Sequence, residues 1–94
     1  MDIKVKFFTS LREITGKKEE GIQIPSKLTV DEFLIHLSKE YGREFKEYLY
    51  DENGNVQKYI HILINGIAVS SLQGFETKLK EKDIIAILPP VGGG

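Results

Sequence analysis

Hydrophobic and charged side chains alternate from the start of the chain. Ile3, Val5 and Phe7 interleave with Lys4, Lys6 and Phe8, which predicts a strand with one buried face. Thr9 to Gly16 reads as a turn or short helix, because Leu11 and Ile14 stand three apart and Gly16 can close it. Gly21 to Pro25 predicts a second short strand, stopped by a proline that cannot donate to a sheet ladder. The period then changes. Val30, Phe33, Leu34, Leu37 and Tyr41 recur at helical spacing and form one apolar stripe. Thr29 and Glu32 are spaced as a capping box, Leu28 and Phe33 as a hydrophobic staple, and Gly42 is placed to end the helix. Phe45, Tyr48 and Leu49 add a further helical turn on the core.

Asp51 to Asn55 is a polar turn or loop, with Asn53-Gly54 as a candidate type I′ pair. Tyr59 to Ile64 is β-branched and aromatic enough to predict a strand. Asn65-Gly66 turns it into Ile67-Ala68-Val69, the strongest hairpin signal in the sequence. Ser70 to Leu79 reads as irregular, and Lys80 to Asp83 as a charged turn. Ile84-Ile85-Ala86-Ile87-Leu88 lacks any alternation, which predicts a strand covered on both faces, or on one face plus a partner. This order predicts an α+β fold, a sheet covered on one face by one main helix. The last strand is the most apolar and should be central, beside the first and parallel to it. That is the β-grasp arrangement. Residues 1–90 read as one domain and 91–94 as a flexible glycine tail.

Composition removes several classes of function. Lys and Arg number 13 against 14 Asp and Glu, so the net charge of −1 offers no footprint for nucleic acid. Cysteine is absent, which excludes disulfides, a thiol nucleophile and a Cys-ligated metal. The alternating N-terminal pattern is neither a signal peptide nor a membrane span, and a cytoplasmic protein is expected. His36 and His61 belong to no ligand-spaced cluster, so no metal site is expected. Glu19-Glu20 and Asp51-Glu52 read as solvated turns.

Chemistry concentrates in Pro89-Pro90-Val91-Gly92-Gly93-Gly94. The diproline ends the strand and directs the remaining residues away from the fold. Fully extended, Val91 to Gly94 reach roughly 13 Å. Without a β-carbon at Gly93 or Gly94, such a tail can thread a narrow cleft and offer its terminal carboxylate there.

The chain resembles the ubiquitin-like sulfur carriers, in particular the small subunit of molybdopterin synthase. The likeness runs end to end: Ile3 to Phe8 with Leu11-Arg12-Glu13-Ile14-Thr15-Gly16, then Leu63-Ile64-Asn65-Gly66, then Lys82 to Gly94. Leu88 departs from it, standing where the family often carries an aromatic, and Gly92 makes a third glycine. Carriers for thiamine synthesis resemble a shorter chain without the diproline. The resemblance implies adenylation of the Gly94 carboxylate by a ubiquitin-activating-type enzyme, which replaces a poor leaving group with a good one. Sulfide from a donor then leaves a thiocarboxylate on Gly94. The family's large synthase subunit uses that sulfur to build the dithiolene that holds molybdenum or tungsten. This chain would supply the reacting group and not the catalysis, binding no cofactor of its own, while ATP and the sulfur donor belong to partners. Phe8, Ala86 and Leu88 are the expected partner interface on the open face of the sheet, with Ile67 as a further candidate. Two other readings share the sequence: a protein modifier joined through Gly94 to lysines, and a non-reactive β-grasp interaction module.

Overall fold

The N-terminal alternation forms the strand it predicts. In a computed structural model, which describes residues 1–25 and 27–89, β1 (Asp2–Phe7) buries Ile3, Val5 and Phe7 and turns Asp2, Lys4 and Lys6 to the other face. α1 (Ser10–Thr15), β2 (Glu19–Gln23), α2 (Val30–Tyr41), α3 (Arg43–Leu49), β3 (His61–Ile64), β4 (Ile67–Ala68) and β5 (Ile84–Leu88) complete the order. The strands make one mixed sheet in the order β2-β1-β5-β3-β4. β5 is central, parallel to β1 and antiparallel to β3. This is the ubiquitin-like β-grasp.

Helix α2 begins as its cap predicts. The Thr29 hydroxyl accepts from the Glu32 amide at 3.2 Å, while the Glu32 carboxylate accepts from the Thr29 amide at 2.9 Å. Gly42 ends it at φ 89°, in the region that favours glycine. The stripe Val30, Phe33, Leu34 and Leu37 is fully buried against Ile3, Val5, Phe7, Ile85 and Ile87 of the sheet. Two short helices join the main one: Leu11 of α1 and Phe45 and Leu49 of α3 enter the same core. At one end of that core, the Phe7 ring meets Tyr41 edge-on at 5.5 Å and Phe45 at 6.2 Å, with Tyr41 stacked on Phe45.

Several local expectations shift. The second strand lies at Glu19–Gln23 rather than Gly21 to Pro25, because β1 pairs with it from Lys6 opposite Glu19 to Asp2 opposite Gln23. Glu19 and Glu20 are therefore strand residues and not a solvated turn. Glu19 pairs with Lys4 at 3.3 Å, and Glu20 accepts from Lys17 at 2.7 Å and from the Tyr41 hydroxyl. Burial raises the Glu20 carboxyl, but the Lys17 and Tyr41 bonds and the Lys17 charge outweigh it and hold the group below the usual carboxylate range. Tyr59 and Ile60 precede β3 in a turn rather than extending it, with the Ile60 amide donating to the Gln57 carbonyl. At Asn53-Gly54 only the glycine has positive φ, so no type I′ turn forms there. Asp51 organises that loop instead, accepting from the amides of Asn53 and Asn55. Ser70 to Leu79 contains two 3-10 turns, Val69–Ser71 reaching into it and Gly74–Glu76 within it.

The Asn65-Gly66 turn has φ 51° and 85°, both positive as a type I′ hairpin requires. Its asparagine also clamps the start of β5. The Asn65 side chain donates to Asp83 Oδ1 and accepts from the Ile84 amide, each at 2.9 Å, and Asp83 Oδ2 accepts from the Lys80 amide at 2.7 Å. Asp83 is consequently buried, where the sequence suggested a plain charged turn. Asn65→Ala should lower unfolding stability by about 1–3 kcal/mol in a urea titration, leaving a buried carboxylate short of a donor. Asn65→Gly, which relieves the turn but not the lost bonds, should recover only part of it.

No helix among the described residues is long and apolar enough to cross a membrane.

Candidate functional site

The sheet face opposite the helices carries the exposed chemistry. Its side chains follow from register. Lys6 stands beside Ala86, Ala86 beside Leu63, and Leu63 beside Ala68, so one row crosses β1, β5, β3 and β4. Leu88 stands beside His61 in the next row, and Phe8 follows β1 in the phase of Lys6. Phe8, Leu63, Ala68, Ile84, Ala86 and Leu88 are each half-buried, whereas their strand neighbours Phe7, Ile62, Ile85 and Ile87 are buried. β5 is thus covered by helices on one face only.

Phe8, Ala86 and Leu88 therefore share one surface. Ile67 does not. It pairs with Ile64, whose side chain enters the core, so Ile67 lies on the helix side at the sheet edge and is half exposed there. Counting through the two-residue turn puts Ala68, not Ile67, on the open face. Sequence reasoning also passed over Leu63 and Ile84, because the runs Ile62-Leu63-Ile64 and Ile84 to Leu88 are apolar at every position and do not reveal which residues face outward. The pairing partner Ala86 was the signal that could have placed Leu63.

Cations border this apolar row. The Arg12 guanidinium lies over the Phe8 ring, 5.3 Å from its centroid, and its Nε donates to the Phe7 carbonyl at 2.9 Å. A ring held from one side by a cation and a strand is pre-positioned for contact. Lys4, Lys6 and His61 lie on the same face.

Pro89 follows Leu88 and is the last described residue. Pro90, Val91, Gly92, Gly93 and Gly94, which the sequence marks as the reacting segment, lie outside the described residues. No grouping of three or more His, Asp or Glu side chains suited to a metal ion occurs among the described residues.

Comparison with known proteins agrees with this geometry. Small archaeal modifier protein 3 of Haloferax volcanii is 32% identical, with all of both chains covered. The molybdopterin synthase sulfur carrier subunit of Drosophila melanogaster is 27% identical over 100% of this chain and 92% of its own. The solution structure of small archaeal modifier protein 1 from Methanosarcina acetivorans superposes with a TM-score of 0.85 at 35% identity, covering 99% of this chain and 96% of that one. The ThiS family model matches residues 5–94. A β-grasp body with one open apolar sheet face, matched over nearly its whole length, this chain belongs to the ThiS family.

Proposed function

We propose that this protein is a sulfur carrier whose Gly94 carboxylate is adenylated by a ubiquitin-activating-type enzyme and converted to a thiocarboxylate. The sulfur then serves molybdopterin assembly, in a complex with the large subunit of molybdopterin synthase. The observation that carries this reading is the open apolar sheet face on which Leu88, at the end of β5, stands with Phe8 and Ala86. A protein docked on Phe8, Ala86 and Leu88 stands beside Leu88, two residues from Pro90 in sequence, so binding the body would bring the tail within its reach. The likeness to a Drosophila protein named as a molybdopterin synthase sulfur carrier subunit supports the pathway.

The chemistry asked of this chain is small. ATP is consumed in the partner's site: the Gly94 carboxylate attacks the α-phosphate and pyrophosphate leaves. Sulfide from the donor then attacks the acyl carbon, AMP leaves, and loss of the sulfur-bound proton gives the thiocarboxylate. With no side chain at Gly93 or Gly94, neither attack is hindered.

Co-purification from cells tests the pairing. A tagged chain should retain a larger subunit that converts a cyclic pyranopterin phosphate to the dithiolene. Leu88→Asp and Phe8→Ala should each weaken that complex by roughly 30-fold, the value of an interface anchor worth about 2 kcal/mol. Ile67→Asp, on the other side of the sheet, should leave it unchanged. Equal loss from all three would sink the open-face assignment.

A second reading rests on the two archaeal relatives named as modifiers. Here the same adenylate acylates lysine amines on other proteins. Large covalent adducts in extracts of the native host, lost on deleting Gly93 and Gly94, would favour it over sulfur donation.

A further inference from the structure

The sheet has two edges, and they differ. β4 has only two residues before a 3-10 turn, whereas β2 presents five residues with a strand on one side only. Its ladder with β1 fixes which amides remain free. Met1 and Ile24 exchange both bonds, at 3.0 and 2.9 Å, and the Phe7 amide donates to the Lys18 carbonyl at 2.8 Å. Bonded pairs alternate with unbonded ones in an antiparallel ladder. Ile22 and Glu20, in the same phase, therefore turn their amides to β1, while Glu19, Gly21 and Gln23 turn theirs outward. None of those outward N–H or C=O groups has a hydrogen-bond partner among the described residues.

Two devices that block an edge, a bulge and a proline within the strand, are absent from Glu19–Gln23. The register runs without a bulge from Glu19 to Gln23, the nearest proline is Pro25, and a β-carbon built on Gly21 would meet nothing within 4 Å. Alongside the edge runs a groove of about 320 Å³, walled by Ile22 and Glu20 from the strand and by His36 and Glu40 from α2. Its charge is one-sided. Lys17 already compensates Glu20, which leaves Glu40, without an ion pair among the described residues, as its free charge.

We propose that β2 accepts an extended, cationic segment of another protein as a sixth strand. The outward amides of Glu19, Gly21 and Gln23 would pair with every second residue of that segment. Apolar side chains would rest on Ile22, and a Lys or Arg would meet Glu40. β1 separates this edge from β5, and the groove lies on the helix side, so the edge and the open face can be occupied at once.

Amide chemical shifts of the full-length, isotope-labelled protein test this with an end-blocked octapeptide in which valine and lysine alternate at every second position with threonine between them, so that both face the groove. Shifts should map to Glu19–Gln23 and to His36 and Glu40, sparing Ala86 and Leu88. Glu40→Lys should weaken binding by roughly fivefold, as expected for one partly exposed charge pair worth about 1 kcal/mol. A valine–glutamate octapeptide should not bind. Shifts confined to the open face, equal binding of both peptides, or no binding at all would overturn the proposal. So would concentration-dependent broadening at β2 without peptide, which would assign the edge to self-pairing.

Discussion

Deleting Gly93 and Gly94 is expected to abolish sulfur loading while leaving the fold intact. Intact mass reads it directly. After incubation with the adenylating enzyme, ATP and a sulfur donor, the full chain should gain the difference between a sulfur and an oxygen atom, and the truncated chain should gain nothing. The physical reason is reach. The proposed chemistry needs the backbone end inside a partner's site, and a reacting carbon displaced by even an ångström loses about 100-fold in rate. Removing two residues withdraws it by several ångströms. Gly93→Val is the finer test. It keeps the length but sets a branched side chain next to the acyl carbon, and should slow loading by a comparable factor without changing affinity for the enzyme. Normal loading of the truncated chain would end the sulfur-carrier proposal, whatever the sheet face binds.

The second large effect concerns stability. Phe7→Ala should cost about 3–5 kcal/mol, the range for removing a buried aromatic side chain. Phe7 is fully buried and touches both Tyr41 and Phe45, so its loss opens a void among rings from β1, α2 and α3 at once. For a domain of this size each kcal/mol shifts the melting temperature by about 4–8 °C, so thermal unfolding should move by tens of degrees. Phe8→Ala makes the natural contrast. The adjacent ring is half-buried on the open face beneath Arg12, and its removal should change stability by about 1 kcal/mol or less while weakening partner binding. A large stability loss from Phe8→Ala with little from Phe7→Ala would reverse the assignment of the two sheet faces.

That pair of phenylalanines shows how far local pattern reaches. Their opposite faces follow from strand alternation with Lys4 and Lys6, which needs no structure to read. The capping box at Thr29 and Glu32, the helix stop at Gly42 and the hairpin at Asn65-Gly66 were equally legible, because each depends on residues within a few positions of one another. β2 was displaced by two residues for the opposite reason. Glu19 and Glu20 have no strand pattern of their own and are extended because Lys6 and Val5 lie across from them. Asp83 looked like one member of a charged turn until Asn65, eighteen positions earlier, closed over it.

The site divides in the same way. Gly93 and Gly94 were chosen from chemistry alone, as residues without side chains in a segment released by a diproline. Phe8, Ala86 and Leu88 followed from phase. Ile67 stands apart from them on the helix side, because a two-residue turn sets which hairpin residues face the core, while Ala68 lies on the open face through its pairing with Leu63. Arg12 was invisible as a partner of Phe8 because the turn at Thr9 and the start of α1 carry it back over the ring.

From its residues alone the chain determined where β1, β5 and the main helix form, what they bury, and which chemistries it lacks, since these rest on side-chain period and on the presence or absence of functional groups. Tertiary structure alone decided that rows from four strands meet as one open surface and that β2 is left as an unpaired edge. Both depend on register between segments distant in sequence, which hydrogen bonds across the sheet set and no local pattern encodes.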